Sequence, residues 1–123
     1  MIARIELPYS KPPLSMNDRT HWRAKARITA GVRRATKLLA KSANVPTGLA
    51  HATGSLQYQP AATRKRDADN LVPVLKACCD GLVDHQLVED DTPNFMTKLM
   101  PLIHPAVKGQ LGTLWLEIEW EKS

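Results

Sequence analysis

The pattern of apolar and polar positions divides the first third of the chain into a strand and a long helix. Residues 2–7 alternate imperfectly between apolar and charged side chains, which is typical of a short strand, and Pro8 ends the run. Over residues 19–43, apolar side chains recur every three or four positions, the spacing of one face of an α-helix. We therefore predict a strand over 2–7, a loop over 9–18 and a helix over 19–43. The apolar face of that helix consists of Ile28, Val32, Ala35 and Leu39.

Three further strands and one more helix are predicted in the remainder of the chain. Pro73 falls in the first turn of the second helix, where its missing N–H costs little. The resulting order, β-α-β-α-β-β, predicts an α+β fold, with a mixed sheet and two main helices in a single domain of 123 residues. The strands are predicted over 51–58, 95–103 and 111–120, and the helix over 70–83.

Composition and the positions of the cysteines limit the partners and the cellular compartment expected for the protein. The chain has 17 Lys and Arg against 12 Asp and Glu, and its net charge of +5 favours anionic partners. No apolar run approaches the ~20 residues of a membrane helix, and Arg4 and Glu6 interrupt any apolar leader. Adjacent Cys78 and Cys79 cannot form an ordinary intrachain disulfide, and there is no CxxC pair for zinc. We expect a protein of the reducing cytoplasm, with neither a membrane nor a nucleotide cofactor as partner.

Acidic residues are concentrated in one stretch of this basic chain. Seven of the twelve carboxylates lie within residues 67–91, where Lys76 is the only basic side chain. Like-charged carboxylates repel one another unless a cation lies among them or protons stay bound. The basic loop Arg64-Lys65-Arg66 directly precedes the first carboxylate and suits a phosphate backbone. The pattern predicts a metal-dependent nuclease.

Helical geometry predicts which acidic side chains point the same way. At ~100° per residue, Asp69, Lys76 and Asp80 lie opposite the apolar stripe of the second helix. Asp67 precedes them in an extended segment, and the turn after the helix can return Asp90-Asp91 to the same place. Such carboxylates could hold one or two Mg²⁺, and Lys76 could neutralise charge developing on a phosphoryl group. The apolar stripe consists of Leu71, Leu75, Cys78 and Leu82.

The same residues also fit a structural interpretation that involves no metal. Asp69 or Asn70 is a normal helix N-cap, and Asp67 nearby would interact favourably with the helix dipole. Residues 84–91 could form a solvated acidic loop. The pattern alone leaves both interpretations open.

Two segments resemble the RusA-type Holliday junction resolvases, small endodeoxyribonucleases of phages and prophages. The main one is Arg66-Asp67-Ala68-Asp69-Asn70-Leu71, followed by Lys76, Asp80-Gly81-Leu82 and Asp90-Asp91. The other is Pro12-Pro13-Leu14-Ser15-Met16-Asn17, with Trp22-Arg23 after it. There are two departures. Val72-Pro73-Val74 adds about one helical turn before Lys76, and Gln86 stands where the family usually has glycine.

The resemblance implies a homodimeric, Mg²⁺-dependent enzyme that makes paired nicks across a four-way DNA junction. By this resemblance, Asp67, Asp69 and Asp91 match the metal-binding carboxylates, with Asp90 as a substitute ligand, and Lys76 matches the active-site lysine. Mn²⁺ is the expected substitute for Mg²⁺. Asn17 either caps the first helix or contacts the DNA backbone. The residues predicted to contact DNA are Arg66, Lys65, Arg64, Arg23 and Asn17.

Two rival functions remain beside junction resolution. A less selective nuclease would act on flaps or forks, with the same metal chemistry. A non-catalytic, basic DNA-binding or regulatory protein would use Asp67 and Asp69 only as helix caps. A phage role in DNA recombination or repair, in the cytoplasm of a bacterial host, follows from the resemblance alone.

Overall fold

The computed structural model describes residues 1–16, 19 and 21–121. Within these residues it contains five strands, two α-helices and one short 3₁₀ turn. The α+β class and the approximate β-α-β-α-β-β order are therefore confirmed. The elements are β1 (Ile2–Glu6), α1 (Trp22–Ser42), β2 (Ala52–Gln59), the 3₁₀ turn (Ala68–Leu71), α2 (Val72–Asp84), β3 (Met96–Lys98), β4 (Leu102–Ile103) and β5 (Thr113–Glu119).

The sheet is mixed, as the pattern predicts. β5 lies between β1 and β2 and is antiparallel to both, whereas β3 and β4 pair with β2 in parallel. The register places Leu116 of β5 between Ile5 of β1 and Leu56 of β2, and all three side chains are buried. Helix α2 lies on this apolar face, where Gly54 of β2 approaches the Cys79 sulfur.

The predicted strand over 95–103 is instead two short strands. β3 ends at Lys98 and β4 begins at Leu102, and both still pair with β2. Pro101 lies between them. Because proline has no backbone N–H, it cannot continue the hydrogen-bond ladder, and it separates the two strands.

Helix α1 begins later than the predicted residue 19. It starts at Trp22, where the His21 ring nitrogen accepts a hydrogen bond from the backbone N–H of Arg23 at 3.2 Å. A side-chain acceptor at this position satisfies one of the free N–H groups of the first helical turn. The histidine therefore sets the helix boundary, although Ser, Thr, Asp and Asn are the usual caps.

The two helices pack closely at Gly81 of α2. A Cβ atom there would collide with the backbone carbonyl of Arg33 and the side chain of Thr36 in α1. Thr36 is fully buried, and its hydroxyl donates to the Val32 carbonyl at 2.9 Å. At the surface, the Arg33 guanidinium donates two hydrogen bonds to Asp84, at 2.6 and 2.8 Å. The predicted apolar stripe of α2 is confirmed as buried: Leu71, Leu75, Cys78 and Leu82.

The chain reverses direction after α2 at Gln86, which has a φ of 71°. Glycine is the usual residue in this left-handed conformation, because a Cβ atom makes it costly. Two backbone hydrogen bonds of 2.8 Å hold Gln86, one to the Val83 carbonyl and one from the Gly48 N–H. Gln86 is therefore a strained residue in the turn that leads back towards β3.

Candidate active site

Four charged side chains meet between α2 and β3. Lys76 and Asp80 lie one turn apart on α2, Asp91 lies in the loop before β3, and Lys98 is the last residue of β3. The Lys76 Nζ donates to Asp80 Oδ1 at 2.8 Å and to Asp91 Oδ2 at 2.6 Å. The Lys98 Nζ donates to the same Asp91 oxygen at 3.2 Å. We call these four residues the acid–lysine cluster.

The local sequence explains how these side chains meet. Lys76 and Asp80 are separated by four positions, so they are neighbours on one side of α2. In β3, residues two apart lie on the same face of the sheet, and Met96 is buried. Lys98 therefore follows Met96 towards α2, and its ammonium group reaches the rim of the core, where Asp91 lies.

The lysines keep Asp91 ionised. Hydrogen bonds from Lys76 and then Lys98 lower the pKa of Asp91 to about 2. The hydrogen bonds that Lys76 donates to Asp80 and then to Asp91 raise the pKa of Lys76 above its usual range. The Asp91 side chain is only 18% exposed, so water screens these interactions less than at an open surface. At neutral pH the acid–lysine cluster contains two carboxylates and two ammonium groups, and its net charge is zero.

Asp67 and Asp69 form a separate pair at the start of α2. The Asp67 Oδ1 accepts a hydrogen bond from the Asp69 backbone N–H at 3.1 Å and caps the 3₁₀ turn. Both aspartates are exposed. The predicted N-cap at Asp69 or Asn70 is wrong, because Leu71 precedes α2 and makes no side-chain cap. The extra residues before Lys76 form the helix start, so Asp69 lies in the 3₁₀ turn, outside α2.

The N-terminal loop and the Asp67 region lie side by side, although they are far apart in sequence. The backbone N–H of Met16 donates to the Asn70 carbonyl at 3.3 Å, and Leu14 is buried. Asn17 lies outside the described residues. A cleft of about 520 Å³ opens at this junction. Its lining includes Pro12, Tyr58, Lys65, Arg66, Asp67 and Asn70.

The predicted basic loop lies at the rim of this cleft. The Arg66 guanidinium donates to the Ala62 carbonyl at 2.8 Å and lies 5.8 Å from the centre of the Tyr58 ring. These contacts fix Arg66 next to Asp67, while Arg64 and Lys65 are exposed to solvent. A basic loop so placed can bind the phosphate backbone of a nucleic acid.

The structure brings together some of the predicted site residues. Asp91 contacts Lys76, and Asp67 contacts Asp69. The exposed Asp90 accepts a hydrogen bond from the Asp91 backbone N–H at 2.9 Å. Arg23 lies in the first turn of α1, 5.2 Å from the Trp22 ring. Among the residues that the structure describes, no three His, Cys, Asp or Glu side chains form a group able to hold a metal ion.

The predicted ligands have donor atoms of the type that Mg²⁺ prefers, although they do not form one group in the described residues. Asp67, Asp69 and Asp91 offer carboxylate oxygens, which Mg²⁺ prefers. Asp91 is ionised, and the ammonium groups of Lys76 and Lys98 both donate to its Oδ2. An ion at Asp91 would therefore replace the ammonium groups at this oxygen.

Sequence analysis did not identify Lys98 as part of the site. The available signal was a lysine two positions after Met96 in a predicted strand, on the same face as an apolar residue. A charged side chain on the inward face of a strand usually has a partner, because an unpaired charge there is costly. That partner is Asp91, seven residues earlier.

Comparison with known proteins does not assign the chain to a family. No protein-family model and no curated protein sequence matches the chain. In the part of the chain that the structure describes, no helix is both long and apolar enough to cross a bilayer. A functional assignment therefore depends on the residues of the site and on the resemblance of their motifs.

Proposed function

We propose that the protein is a Mg²⁺-dependent endodeoxyribonuclease that resolves four-way DNA junctions by paired phosphodiester hydrolysis. The main support is the ionised Asp91, which two lysines from different elements hold through one oxygen. The Asp67–Asp69 turn and the basic loop at 64–66 add to this support, because they offer further carboxylates and phosphate-binding cations. The resemblance to RusA-type resolvases supports the choice of a branched substrate.

Three carboxylates are proposed as metal ligands: Asp67, Asp69 and Asp91, with Asp90 as a substitute for Asp91. The chemistry supplied by a bound Mg²⁺ is polarisation of the phosphodiester and activation of a water molecule, and Mn²⁺ would supply the same. Asp67 and Asp69 are exposed, so they can turn towards an ion without breaking a core contact.

The chain's own cations have distinct proposed roles. Lys76 would neutralise the charge that develops on the phosphoryl oxygens, since preorganised cations stabilise such a transition state. Asp80 orients Lys76 through its 2.8 Å hydrogen bond and keeps the ammonium group in the site when a metal occupies Asp91. Arg64, Lys65 and Arg66 would bind backbone phosphates and bring the DNA strand towards Asp67. Arg23 is proposed as a further DNA contact on α1.

A homodimer is part of this proposal. Paired cuts on opposing strands require two active sites related by a two-fold axis. A monomer at micromolar concentration in the presence of junction DNA, measured by sedimentation, would contradict it.

We assign the protein to a reducing cytoplasm, that of a bacterial host if it is phage-encoded. Cys78 and Cys79 are both free and buried. Burial raises the pKa of each thiol to about 12, which keeps the reactive thiolate form rare.

A denaturing-gel assay on a labelled synthetic four-way junction tests the proposal. Reactions with Mg²⁺ or EDTA are run beside a linear duplex of the same sequence. We expect Mg²⁺-dependent, paired cuts near the branch point and little cleavage of the duplex. Equal rates on flaps, forks and junctions would instead indicate the less selective nuclease.

A non-catalytic DNA-binding protein is the second candidate. Two observations favour this candidate. Asp67 caps the 3₁₀ turn, and lysines already neutralise Asp91. Such a protein would bind junctions equally well in Mg²⁺ and EDTA, and neither Mg²⁺ nor Mn²⁺ would produce a nick.

A further inference from the structure

The two lysines of the acid–lysine cluster differ in how they are held. Lys76 contacts two carboxylates, Asp80 at 2.8 Å and Asp91 at 2.6 Å. Lys98 contacts only Asp91, at the longer distance of 3.2 Å, among the ion pairs of the described residues. If Asp91 becomes unavailable, Lys76 retains a partner through Asp80, whereas Lys98 retains none of these contacts.

The space next to Lys98 suits an anion. Lys98 lines a cleft of about 250 Å³ between the first half of α2 and the segment that joins β3 to β4. Lys76 and Lys98 are the only charged residues of its lining, and both are positive. The remaining lining is apolar: Val72, Leu75, Leu99, Met100 and Pro101. Leu99 and Met100 are themselves exposed at the mouth of this cleft, so an anion in solution can reach the Lys98 ammonium group there.

A divalent cation on Asp91 would change the charge balance of the cluster. The four side chains are neutral together, so a bound Mg²⁺ leaves the cluster with two positive charges. Asp91 Oδ2 is the only carboxylate oxygen that Lys98 contacts among the described residues, so an ion at this oxygen would compete with Lys98. A phosphate group would then satisfy the freed ammonium and offset part of the charge.

We propose that Lys98 is released from Asp91 when a divalent cation binds this carboxylate, and that it then binds a DNA phosphate at the mouth of the cleft. This inference rests on the proposed function, since it requires both the metal and the DNA. It makes metal binding and DNA binding mutually favourable. Lys98 thereby becomes a substrate-binding residue of the site, separate from Lys76.

The test measures junction affinity without cleavage. The dissociation constant of a four-way junction is measured in EDTA and in Ca²⁺, and denaturing gels verify that the DNA stays intact. The proteins are the wild type, Lys98→Met, Lys98→Arg and the control Lys41→Met, which removes one exposed ammonium from the last turn of α1.

The expected result is specific to the metal-bound state. In EDTA, Lys98→Met binds the junction like the wild type, because Lys98 is engaged by Asp91. In Ca²⁺, Lys98→Met binds the junction more weakly, by about 10-fold or more, which is the effect expected from the loss of one charge-assisted phosphate contact. Lys98→Arg retains most of the increase in junction affinity that Ca²⁺ produces in the wild type. Lys41→Met changes both affinities by the same factor.

Direct titration of Ca²⁺ by calorimetry, without DNA, adds a second readout. Removing a competing ammonium should tighten Ca²⁺ binding to Lys98→Met, by about 3- to 10-fold. If Lys98 served only to position Asp91, the variant would bind Ca²⁺ more weakly. Weaker Ca²⁺ binding, or equal loss of junction affinity in EDTA and Ca²⁺, would overturn the inference.

Failure of the inference can be distinguished from failure of the proposed function. A wild type that cuts junctions with Mg²⁺, together with a Lys98→Met variant that binds and cuts equally well, overturns the role of Lys98 alone. A wild type that neither cuts nor responds to a metal overturns the proposed function and this inference with it.

Discussion

Replacing Asp91 with Asn tests how strongly the acid–lysine cluster holds the loop after α2. The two lysines lower the Asp91 pKa from 3.8 to about 2. At about 1.4 kcal/mol per pKa unit, this difference corresponds to about 2.5 kcal/mol of folding free energy as an upper value. The side chain is 18% exposed, and partial screening by solvent reduces the expected loss in Asp91→Asn to about 1–2 kcal/mol at pH 7.

The loss should depend on pH in a defined direction. Because folding lowers the pKa of this carboxyl, its stabilising effect is complete above the ordinary value of 3.8 and disappears as the pH falls through about 2. The stability difference between wild type and Asp91→Asn should fall to about half by pH 3. As the pH falls, the wild type is the protein that loses stability, because protonation of Asp91 removes an ion pair that Asp91→Asn lacks at every pH.

Urea unfolding at several pH values between about 7 and 3 measures this difference directly. The matched control is Asp90→Asn, because Asp90 is exposed and, among the described residues, accepts a hydrogen bond only from the neighbouring backbone N–H. The free energy of unfolding of Asp90→Asn should be lower than that of the wild type by no more than about 0.5 kcal/mol. A difference for Asp91→Asn that is absent at pH 7, or constant down to pH 3, would refute the electrostatic explanation.

Three further predictions test other parts of the structure. Gly81→Ala should destabilise the protein by about 1–3 kcal/mol, because its Cβ collides with α1, whereas Gly31→Ala, with open space around it, should stabilise by about 0.5–1 kcal/mol. Denaturant unfolding of both variants checks this, and equal effects would contradict the close helix packing. Gln86→Gly should stabilise by about 0.5–1 kcal/mol by relieving the positive φ, measured as a higher melting temperature. Asp69→Asn should abolish Mg²⁺-dependent junction cleavage, because a proposed metal ligand is lost, while leaving junction binding in EDTA unchanged. Unchanged cleavage would remove Asp69 from the site.

Much of the fold could be predicted because its signals are local. The helical spacing of Leu71, Leu75, Cys78 and Leu82 gave the buried face of α2 correctly. The apolar residues Leu114, Leu116 and Ile118, spaced two apart, likewise identified β5 as a strand, and all three are buried. Each of these patterns depends only on the period of one element, so no knowledge of its neighbours is needed.

The errors fall where local and long-range effects compete. Residues 95–103 have strand composition, but Pro101 interrupts the ladder, so the segment forms two strands on one partner. The start of α2 was placed too early because Asp69 and Asn70 have good capping side chains. In the structure, Asp67 caps the 3₁₀ turn that directly precedes the helix.

The candidate site was predicted in part. Lys76, Asp80 and Asp91 were identified from spacing and from the resemblance, and the structure brings them into contact. Lys98 was not found, because its contact with Asp91 depends on how β3 packs beside α2. The metal-ligand roles of Asp67, Asp69 and Asp91 stay predictions, as does the dimer.

The acid–lysine cluster also bears on how the protein reaches its folded state. In many small metalloproteins the ligands repel one another until the ion arrives, so the chain folds only with its metal. Here Lys76 and Lys98 serve as built-in counter-ions for Asp91. The chain can therefore fold without a metal ion at Asp91, and under the proposed function a change in magnesium supply would alter its activity without altering its abundance.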